Sequence, residues 1–272
     1  MYFLFDIGGT KMRLAIANSS RIVKTRISAT PLNFSKGIAI FEDMLGELKK
    51  RDEITAVCGG VPGILSERKN KLVQSPHLKQ WVGRPLGSRL AELFDAPVYL
   101  ENDSALAGLG EAVYGAGKGK DIVAYYAIGT GVGGARIVLK KIDFSAQGFE
   151  PGHQIIGFDK AHKHPAYLED YVSGSGIAIR YQCAPSHITS REVWNDIARH
   201  LAYGLNNSIL HWSPDIVVLG GGLMLESRLS LPAIQKHLQS AMRIFPKLPP
   251  IVKSSLGDLS GLYGALAFLK AI

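Results

Sequence analysis

A glycine-rich turn between two short apolar strands occurs twice in this chain, at positions about 120 residues apart. The first copy extends from Phe3 to Ala17, and the second extends from Val123 to Leu139. In both copies one strand enters the turn and another leaves it, which predicts a β-hairpin rather than a strand followed by a helix. A repeated unit of this kind indicates a duplicated domain.

Strands and helices alternate after each hairpin, and this order is typical of an α/β protein with two lobes. The predicted segments are strands at 54–57, 98–100 and 216–219 and helices at 104–114, 193–213 and 260–272. We expect the last helix, which is rich in small residues, to pack on the first domain. The first lobe is therefore predicted to comprise 1–108 with 258–272, and the second 109–257.

Composition limits where the chain works and what it binds. No apolar run approaches the ~18 residues of a membrane span, and the apolar opening reaches Asp6 too soon for a signal peptide, so we expect a cytoplasmic protein with no membrane partner. Cys58 and Cys183 are the two cysteines, which argues against a disulfide framework. The formal net charge is +8, but the basic residues are scattered. This pattern favours a small anionic ligand over nucleic acid.

The second glycine turn can hold phosphate without belonging to a dinucleotide-binding fold. Gly129, Gly131 and Gly134 match the GxGxxG spacing, but residues 135–139 are strand formers where that motif requires a helix. This excludes a dehydrogenase of the Rossmann type. Glycines still let backbone N–H groups approach an anion closely, so two such turns facing across a cleft would clamp a polyphosphate.

The first glycine turn adds polar side chains to the same chemistry. Asp6 offers a carboxylate for Mg²⁺, and Thr10 and Lys11 offer a hydroxyl and an ammonium group for phosphate oxygens. An ordinary hairpin with an exposed lysine is the alternative. A third glycine run, 220–222, follows a buried strand and favours a ligand site.

Five segments resemble the successive motifs of the ROK family of sugar kinases, in the family's order and over nearly the whole chain. They are DIGGTK at 6–11, GVPG at 60–63, END at 101–103, GTGVGG at 129–134 and LGGG at 219–222. The resemblance implies a two-lobed actin/hexokinase-like (ribonuclease H-like) fold, ATP with Mg²⁺, and a homodimer. The nucleotide ligands implied in this way are Asp6, Gly8, Gly9, Thr10, Lys11, Gly129, Thr130, Gly131, Gly133, Gly220, Gly221 and Gly222.

Asp103 is the candidate catalytic base, because phosphoryl transfer to an alcohol needs a group that accepts the hydroxyl proton. Its place between a strand and a helix also suits a helix N-cap, which is the structural alternative. The resemblance favours the base and assigns sugar contacts to Gly63 and Asn102 beside it.

Three residues further along the chain complete the sugar site that the resemblance implies. Glu150 and His153 lie in a segment similar to the family's Glu-x-Gly-His, and Glu169 lies at the end of a segment similar to its zinc motif. A polar surface loop with a chance glutamate is the alternative.

The zinc motif itself is altered in this chain. Counting back from Glu169, Tyr167, His162 and Lys160 occupy the positions of the family's three cysteines. A lysine ammonium group cannot bind Zn²⁺ and tyrosine is a rare ligand, so we expect no structural zinc. Capture of another metal by His153, His162 and His164 is disfavoured, because the last two flank a lysine.

The resemblance implies transfer to the 6-hydroxyl of a hexose, with glucose ranked first and N-acetylmannosamine and fructose behind it. A non-catalytic sugar or nucleotide sensor would not need Asp6, Lys11 and Asp103 together. A sugar-responsive transcription regulator would carry a DNA-binding module before the first phosphate strand, and this chain begins at that strand.

Overall fold

The computed structural model describes residues 1–47, 53–159, 164–226 and 228–272. These residues form two compact units. The first comprises Met1–Tyr114, Phe144–Gly148 and Leu259–Ile272, and the second comprises Gly115–Asp143 and Phe149–Asp258. The lobe boundary expected at residue 108 falls inside a helix of the first unit, Asp103–Val113. The functional lobes themselves stay a prediction.

The first unit is built on a five-stranded sheet with the order β3-β2-β1-β4-β7. Its strands are β1 (Tyr2–Ile7), β2 (Lys11–Ala17), β3 (Ile22–Ala29), β4 (Ala56–Val61) and β7 (Val98–Asn102). The first three pair antiparallel, while β4 and β7 are parallel to β1. The short strands β5 (Ile64–Leu65) and β6 (Leu72–Gln74) form a separate hairpin. The phosphate hairpin predicted at residues 3–17 is therefore present as β1 and β2.

Strand β4 differs from the predicted strand at 54–57, since it begins at Ala56 and continues through Gly59 and Gly60 to Val61. Both glycines continue the strand because they pair with β1 and β7, and their neighbours come too close for a side chain. A Cβ on Gly59 would lie 2.3 Å from the Phe5 ring, and one on Gly60 would lie 2.8 Å from the Asp103 Cα. Strand β4 thus packs against the candidate base, Asp103, through a glycine that has no side chain.

Helices cover both faces of this sheet, which is why strand β1 is buried at Phe3, Leu4 and Phe5 alike. They are α1 (Phe34–Gly46), α2 (Leu86–Phe94), α3 (Asp103–Val113) and α9 (Ser260–Ala271). The backbones of α3 and α9 touch: a Cβ on Gly264 would lie 1.8 Å from the Leu106 carbonyl oxygen. The prediction that the small-residue C-terminal helix packs on the first domain is confirmed.

The second unit repeats the sheet topology of the first. Its sheet has the order β10-β9-β8-β13-β14, formed by β8 (Ile122–Ile128), β9 (Val132–Val138), β10 (Lys141–Ile142), β13 (Ile216–Gly220) and β14 (Ile251–Lys253). Numbered within each sheet, both orders read third, second, first, fourth, fifth, and both combine an antiparallel hairpin with two parallel strands. The predicted duplication is confirmed.

Outside this sheet, β11 (Ile155–Asp159) and β12 (His164–Tyr167) form a two-stranded hairpin. The helices of the second unit are α4 (Leu168–Val172), α5 (Gly174–Tyr181), α6 (Arg191–Trp212), α7 (Gly222–Leu225) and α8 (Leu231–Ala241). Helix α6 begins after Ser190, whose side chain accepts the Val193 N–H, and ends where Ser213 takes a left-handed conformation. Within the described ranges, no helix combines the length and apolar character that crossing a bilayer requires.

Candidate active site

The turn of the first hairpin is stabilised by hydrogen bonds from Thr30, the residue that follows β3. The Gly8 N–H donates to the Lys11 carbonyl (2.8 Å) and closes the turn. The Thr30 hydroxyl donates to the Gly8 carbonyl (2.8 Å), and its N–H donates to the Thr10 carbonyl (3.0 Å). The turn is thus fixed through its backbone, while Thr10 and Lys11 are exposed.

Asp6 lies at the end of β1 with a cationic neighbour that the sequence analysis missed. Arg13 is its cross-strand partner in the hairpin register, and their side chains approach to 3.7 Å (Nη1 to Oδ2). On the other side, a Cβ on Gly261, in the first turn of α9, would lie 2.7 Å from the Asp6 Cγ. The pairing of Asp6 and Arg13 follows from the register of the hairpin, which the sequence did not predict.

Asp103 is the first residue of α3, and the alternative that it serves as the N-cap is wrong. The cap is Asn102, whose Oδ1 accepts the Ala105 N–H (3.1 Å). The chain leaves β7 with Asn102 still extended, so Asp103 already has helical conformation. Its Oδ1 instead accepts the Ser104 N–H (2.8 Å).

Burial dominates the electrostatics of this carboxyl group. It raises the pKa of Asp103, and the opposing effects, hydrogen bonds from Ser104 and the nearby His77, lower it only in part. A carboxylate with a raised pKa is a better proton acceptor than a solvated one. The environment therefore suits a general base.

Gly63 and Asn102 lie next to Asp103. The Asn102 side-chain amide donates to the Gly63 carbonyl (3.4 Å). Gly63 has a φ of +116°, and a Cβ there would lie 2.2 Å from the Gln74 carbonyl oxygen, so only glycine suits this position. Three of the predicted sugar-site residues are thus adjacent at one end of the sheet.

Two further residues of the first unit escaped the sequence analysis. His77 packs on Gly9 of the phosphate turn, where a Cβ would lie 2.9 Å from the His77 Cγ. Lys69, at the tip of the β5–β6 hairpin, forms an ion pair with the buried Glu101. Neither residue belongs to a recognisable local motif, and both contacts join segments that are distant in sequence.

The glycine turn of the second unit is held by two neighbouring segments. The N-terminal amides of α5 donate to it, from Gly174 to the Gly129 carbonyl (2.7 Å) and from Ser175 to the Thr130 carbonyl (3.1 Å). On the strand side, the Val132 N–H donates to the Glu169 carboxylate (2.6 Å). The predicted sugar ligand Glu169 therefore contacts the predicted phosphate turn.

The third glycine run lies beside this turn. Gly220 pairs with Ala127, so the carboxyl ends of the parallel strands β13 and β8 meet. Gly221 has a φ of +87° and lies against the Ile128 carbonyl, where a Cβ would be 2.4 Å away. The Gly222 amide is 4.0 Å from the Cβ position of Gly129. The structure thus brings together the predicted phosphate turn of the second unit and the run expected near adenosine.

The segment with Glu150 and His153 is anchored on β9. A Cβ on Gly152, between them, would lie 2.3 Å from the Val132 carbonyl oxygen. The His153 Nδ1 lies 4.0 Å from the Glu150 Oε2, and both side chains are substantially exposed. Since the Val132 amide also bonds Glu169, all three predicted sugar ligands of this unit lie around one residue of β9. Gly133, next in β9, pairs with Ala127.

Among the described residues there is no group of three or more His, Cys, Asp and Glu side chains that could hold a metal ion. Lys160 and His162 lie outside those residues. His164 is at the start of β12, with its Nδ1 2.7 Å from the Pro165 carbonyl, and the rings of His153 and Tyr167 are 6.5 Å apart. The absence of structural zinc stays a prediction.

The ROK family model matches residues 2–272. The chain belongs to the ROK family. It is 30% identical over 306 residues to the N-acetylgalactosamine kinase AgaK of Shewanella sp. (strain ANA-3), covering 97% of this chain and 95% of that one. It is 26% identical over 301 residues to the N-acetyl-D-glucosamine kinase of Haemophilus influenzae (strain 86-028NP), with 98% of each covered.

The fold of this ROK protein has solved counterparts. A ROK family glucokinase from Streptomyces griseus, in complex with glucose and AMPPNP, superposes with a TM-score of 0.80 at 24% identity, covering 98% of both chains. The predicted actin/hexokinase-like fold is confirmed by this likeness. The prediction of a ROK carbohydrate kinase is confirmed, at the level of that class, by the family model and the two sugar-kinase relatives.

Proposed function

We propose that this ROK kinase transfers the γ-phosphate of ATP to the 6-hydroxyl of a hexose, with Asp103 as the general base and glucose as the first candidate substrate. The observation that carries the proposal is the partly buried carboxyl group of Asp103, whose pKa is raised, next to the Asn102 amide and the Gly63 backbone. In the reaction, Asp103 accepts the hydroxyl proton while the sugar oxygen bonds to the γ-phosphorus and ADP leaves.

The glycine turns support the role of ATP. In the second unit the turn at 129–131 and the run at 220–222 are adjacent and rich in glycine, and backbone without side chains can approach a nucleotide polyphosphate closely. In the first unit Thr10 and Lys11 are exposed on a rigid turn.

The half-buried Asp6 carboxylate suits Mg²⁺, which usually binds through one or two carboxylates and substrate phosphates. When bound, Mg²⁺ would offset phosphate charge. Asp6 would hold the ion, and Lys11 would orient the phosphate chain.

Glu150, His153 and Glu169 are proposed to bind ring hydroxyls at the anomeric end of the sugar. Their convergence around Val132 supports a common ligand. Carboxylates and an imidazole accept and donate hydrogen bonds, which is what hydroxyl recognition requires. Asn102 and Asp103 are proposed to bind the end of the sugar that carries the 6-hydroxyl.

An N-acetylated hexosamine is the second candidate substrate. The observation that favours it is that two relatives over nearly the full chain are named as N-acetylgalactosamine and N-acetyl-D-glucosamine kinases. N-acetylmannosamine and fructose, considered from the sequence, belong to the same test.

A coupled assay of ADP release across hexoses, hexosamines and N-acetylhexosamines tests the proposal. We expect one sugar to stand out in kcat/KM, and its 6-deoxy analogue to bind without reacting. A site that hydrogen-bonds a hydroxyl can reject an analogue lacking it by ~10⁴-fold. Phosphate found at the anomeric carbon would overturn the proposed orientation, and binding of sugar and ATP without turnover would identify a sensor.

Replacement of Glu169 tests the sugar site in the same assay. Glu169→Ala should raise the KM for the sugar more than the KM for ATP, because the carboxylate would contact the sugar directly, whereas it contacts the phosphate turn at Gly131 and Val132 from one side. Glu92→Ala, which changes an exposed glutamate on α2, is the matched control and should leave both constants unchanged. An unchanged sugar KM in Glu169→Ala would remove this residue from the site.

A further inference from the structure

Gln154 lies at the base of the β11–β12 hairpin, immediately after His153. Its backbone carbonyl accepts the Leu168 N–H (3.0 Å), at the point where the chain leaves the hairpin. Leu168 is in turn the neighbour of Glu169. The backbone of Gln154 therefore connects the two segments that carry the proposed sugar ligands of the second unit.

The side-chain amide of Gln154 holds the turn that carries Glu150 and His153. Its Nε2 donates to the carbonyl of Pro151 (2.8 Å), the first residue of a short 3₁₀ helix that ends at His153. The side chains of Glu150 and His153 are 42% and 66% exposed, so their positions depend largely on the backbone of this turn. A bond to the Pro151 carbonyl therefore acts on both proposed ligands.

Side chains of α6 and β8 fix the orientation of this amide. The Asn207 Nδ2, from α6, donates to the Gln154 Oε1 (3.0 Å). The Gln154 Nε2 donates to the hydroxyl of Tyr126, from β8 (3.4 Å). Because Asn207 donates to the amide oxygen, the amide nitrogen faces Pro151 and Tyr126, and both of its hydrogens are used. The amide thus has one orientation, in which it joins the turn to the sheet and to α6.

These hydrogen bonds extend into the apolar core of the second unit. Tyr126 is completely buried, and its hydroxyl also bonds Ser208, which is 6% exposed. Burial raises the pKa of Tyr126 to about 12, so the hydroxyl keeps its proton and can donate to Ser208 while it accepts from Gln154. A buried polar group is costly unless it is bonded, and a fully bonded network specifies one arrangement of the groups that it joins.

We propose that Gln154 is a positioning residue of the sugar site, which holds the turn of Glu150 and His153 at a fixed place relative to Glu169. Asn207 acts through Gln154 by orienting its amide. The proposal rests on the proposed function of the three ligands in sugar binding. Polar groups that are held in place before the sugar arrives bind it with a smaller loss of conformational entropy. The hydrogen bonds need no metal ion, in a chain where lysine and tyrosine occupy cysteine positions of the family's zinc motif.

Loss of the Gln154 amide should weaken sugar binding and leave nucleotide binding in place. Gln154→Leu removes every hydrogen bond of the side chain, whereas Gln154→Glu keeps its shape but cannot donate to the Pro151 carbonyl at neutral pH. We expect the KM for the sugar to rise by about 3- to 10-fold for each hydrogen bond lost. The KM for ATP should stay unchanged, because Gly174 and Ser175 hold the phosphate turn separately.

The experiment compares the full-length enzyme with both Gln154 variants, so that a folding defect in one leaves the other. ADP release gives the two KM values, with whichever of glucose and N-acetyl-D-glucosamine the parent enzyme phosphorylates. Hydrogen–deuterium exchange measured by mass spectrometry reports the His153 and Leu168 amides, both of which are bonded, without requiring turnover. Gln235→Leu, which removes a glutamine bond to the Ile251 carbonyl in the same unit, is the control and should move neither readout.

Asn207→Leu tests whether α6 acts through Gln154. Alone, this change should raise the KM for the sugar, because the Gln154 amide loses the bond that sets its orientation. Combined with Gln154→Leu it should add nothing, since the interaction is already absent. Additive effects of the two changes on the sugar KM would overturn the role of Asn207.

We expect faster exchange at His153 and Leu168, and a higher sugar KM, in both Gln154 variants. Unchanged exchange with an unchanged sugar KM would overturn the role of Gln154, and so would an equal rise in the KM for sugar and for ATP, which indicates a general loss of structure. Faster exchange with an unchanged sugar KM would instead overturn the proposed sugar ligands, and so would separate failure of the proposed function from failure of this proposal.

Discussion

At Asp103 two opposing effects act on one carboxyl group. Burial favours the neutral acid, whereas the Ser104 hydrogen bonds and His77 favour the carboxylate, and burial is the larger effect. The pKa in the folded protein is therefore above its value in the unfolded chain. Such a group stabilises the fold while it is protonated, and this contribution is lost as the pH rises through the folded pKa.

The raised pKa of Asp103 predicts the effect of Asp103→Asn on stability. At neutral pH the variant should be at least as stable as the parent, because a neutral amide replaces a partly buried carboxylate with a raised pKa, and the helix cap on Asn102 is retained. Turnover should fall by at least ~10²-fold with the loss of the base. Thermal unfolding and kcat measured on the same preparations check both parts, and near-normal turnover would disprove the assignment.

At the scale of elements, helices α3 and α9 approach closely enough for their backbones to touch. Gly110 and Gly264 make this possible, since Cβ atoms there would lie 2.2 Å from the Ser260 carbonyl oxygen and 1.8 Å from that of Leu106. This crossing holds the N-terminal end of α9 against Asp6, through Gly261. The packing of two helices thus fixes the surroundings of the proposed Mg²⁺ ligand.

Gly264→Ala should lower the free energy of unfolding by about 1–3 kcal/mol, the usual cost of overpacking a tight contact. Gly46→Ala is the matched control, because Gly46 also lies in a helix but has no atom within 4 Å of its Cβ position. That change should be neutral or stabilising by up to about 1 kcal/mol. Urea unfolding of both variants makes the comparison, and equal effects would contradict the described crossing.

At the scale of the whole molecule, one strand order is used twice with different additions. The first unit adds the base and the β5–β6 hairpin, and the second adds the β11–β12 hairpin and the segment of Glu150 and His153. Duplication thus supplies two glycine turns of the same kind, and the additions carry the sugar contacts that we propose for each unit.

Two predictions concern metal ions, Mg²⁺ for turnover and zinc as a structural ion. Turnover should require Mg²⁺, because Asp6 supplies a single carboxylate that suits a cation bound together with ATP phosphates. Elemental analysis of protein purified without chelators should find no stoichiometric zinc, since lysine and tyrosine occupy cysteine positions of the family's motif. About one zinc per chain, lost on changing His153 and His162, would refute the second part.

The sequence by itself determined the two hairpins, the α/β order, the family and the place of Asp103 between a strand and a helix. These features depend on local periodicity and on glycine spacing, which persist in any fold the chain adopts. Local signals also sufficed for the long helix α6, predicted at 193–213 and observed at Arg191–Trp212.

The tertiary structure alone decided which residues surround those features. Asn102 rather than Asp103 caps α3, because β7 ends at Asn102 and the helix begins at the next residue. Strand β4 extends through Gly59 and Gly60, which Phe5 and Asp103 contact so closely that no side chain would fit. His77 contacts Gly9, and Glu169 contacts Val132, through segments distant in sequence. Burial and the packing of distant segments, which raise the pKa of Asp103, arise only when the chain folds.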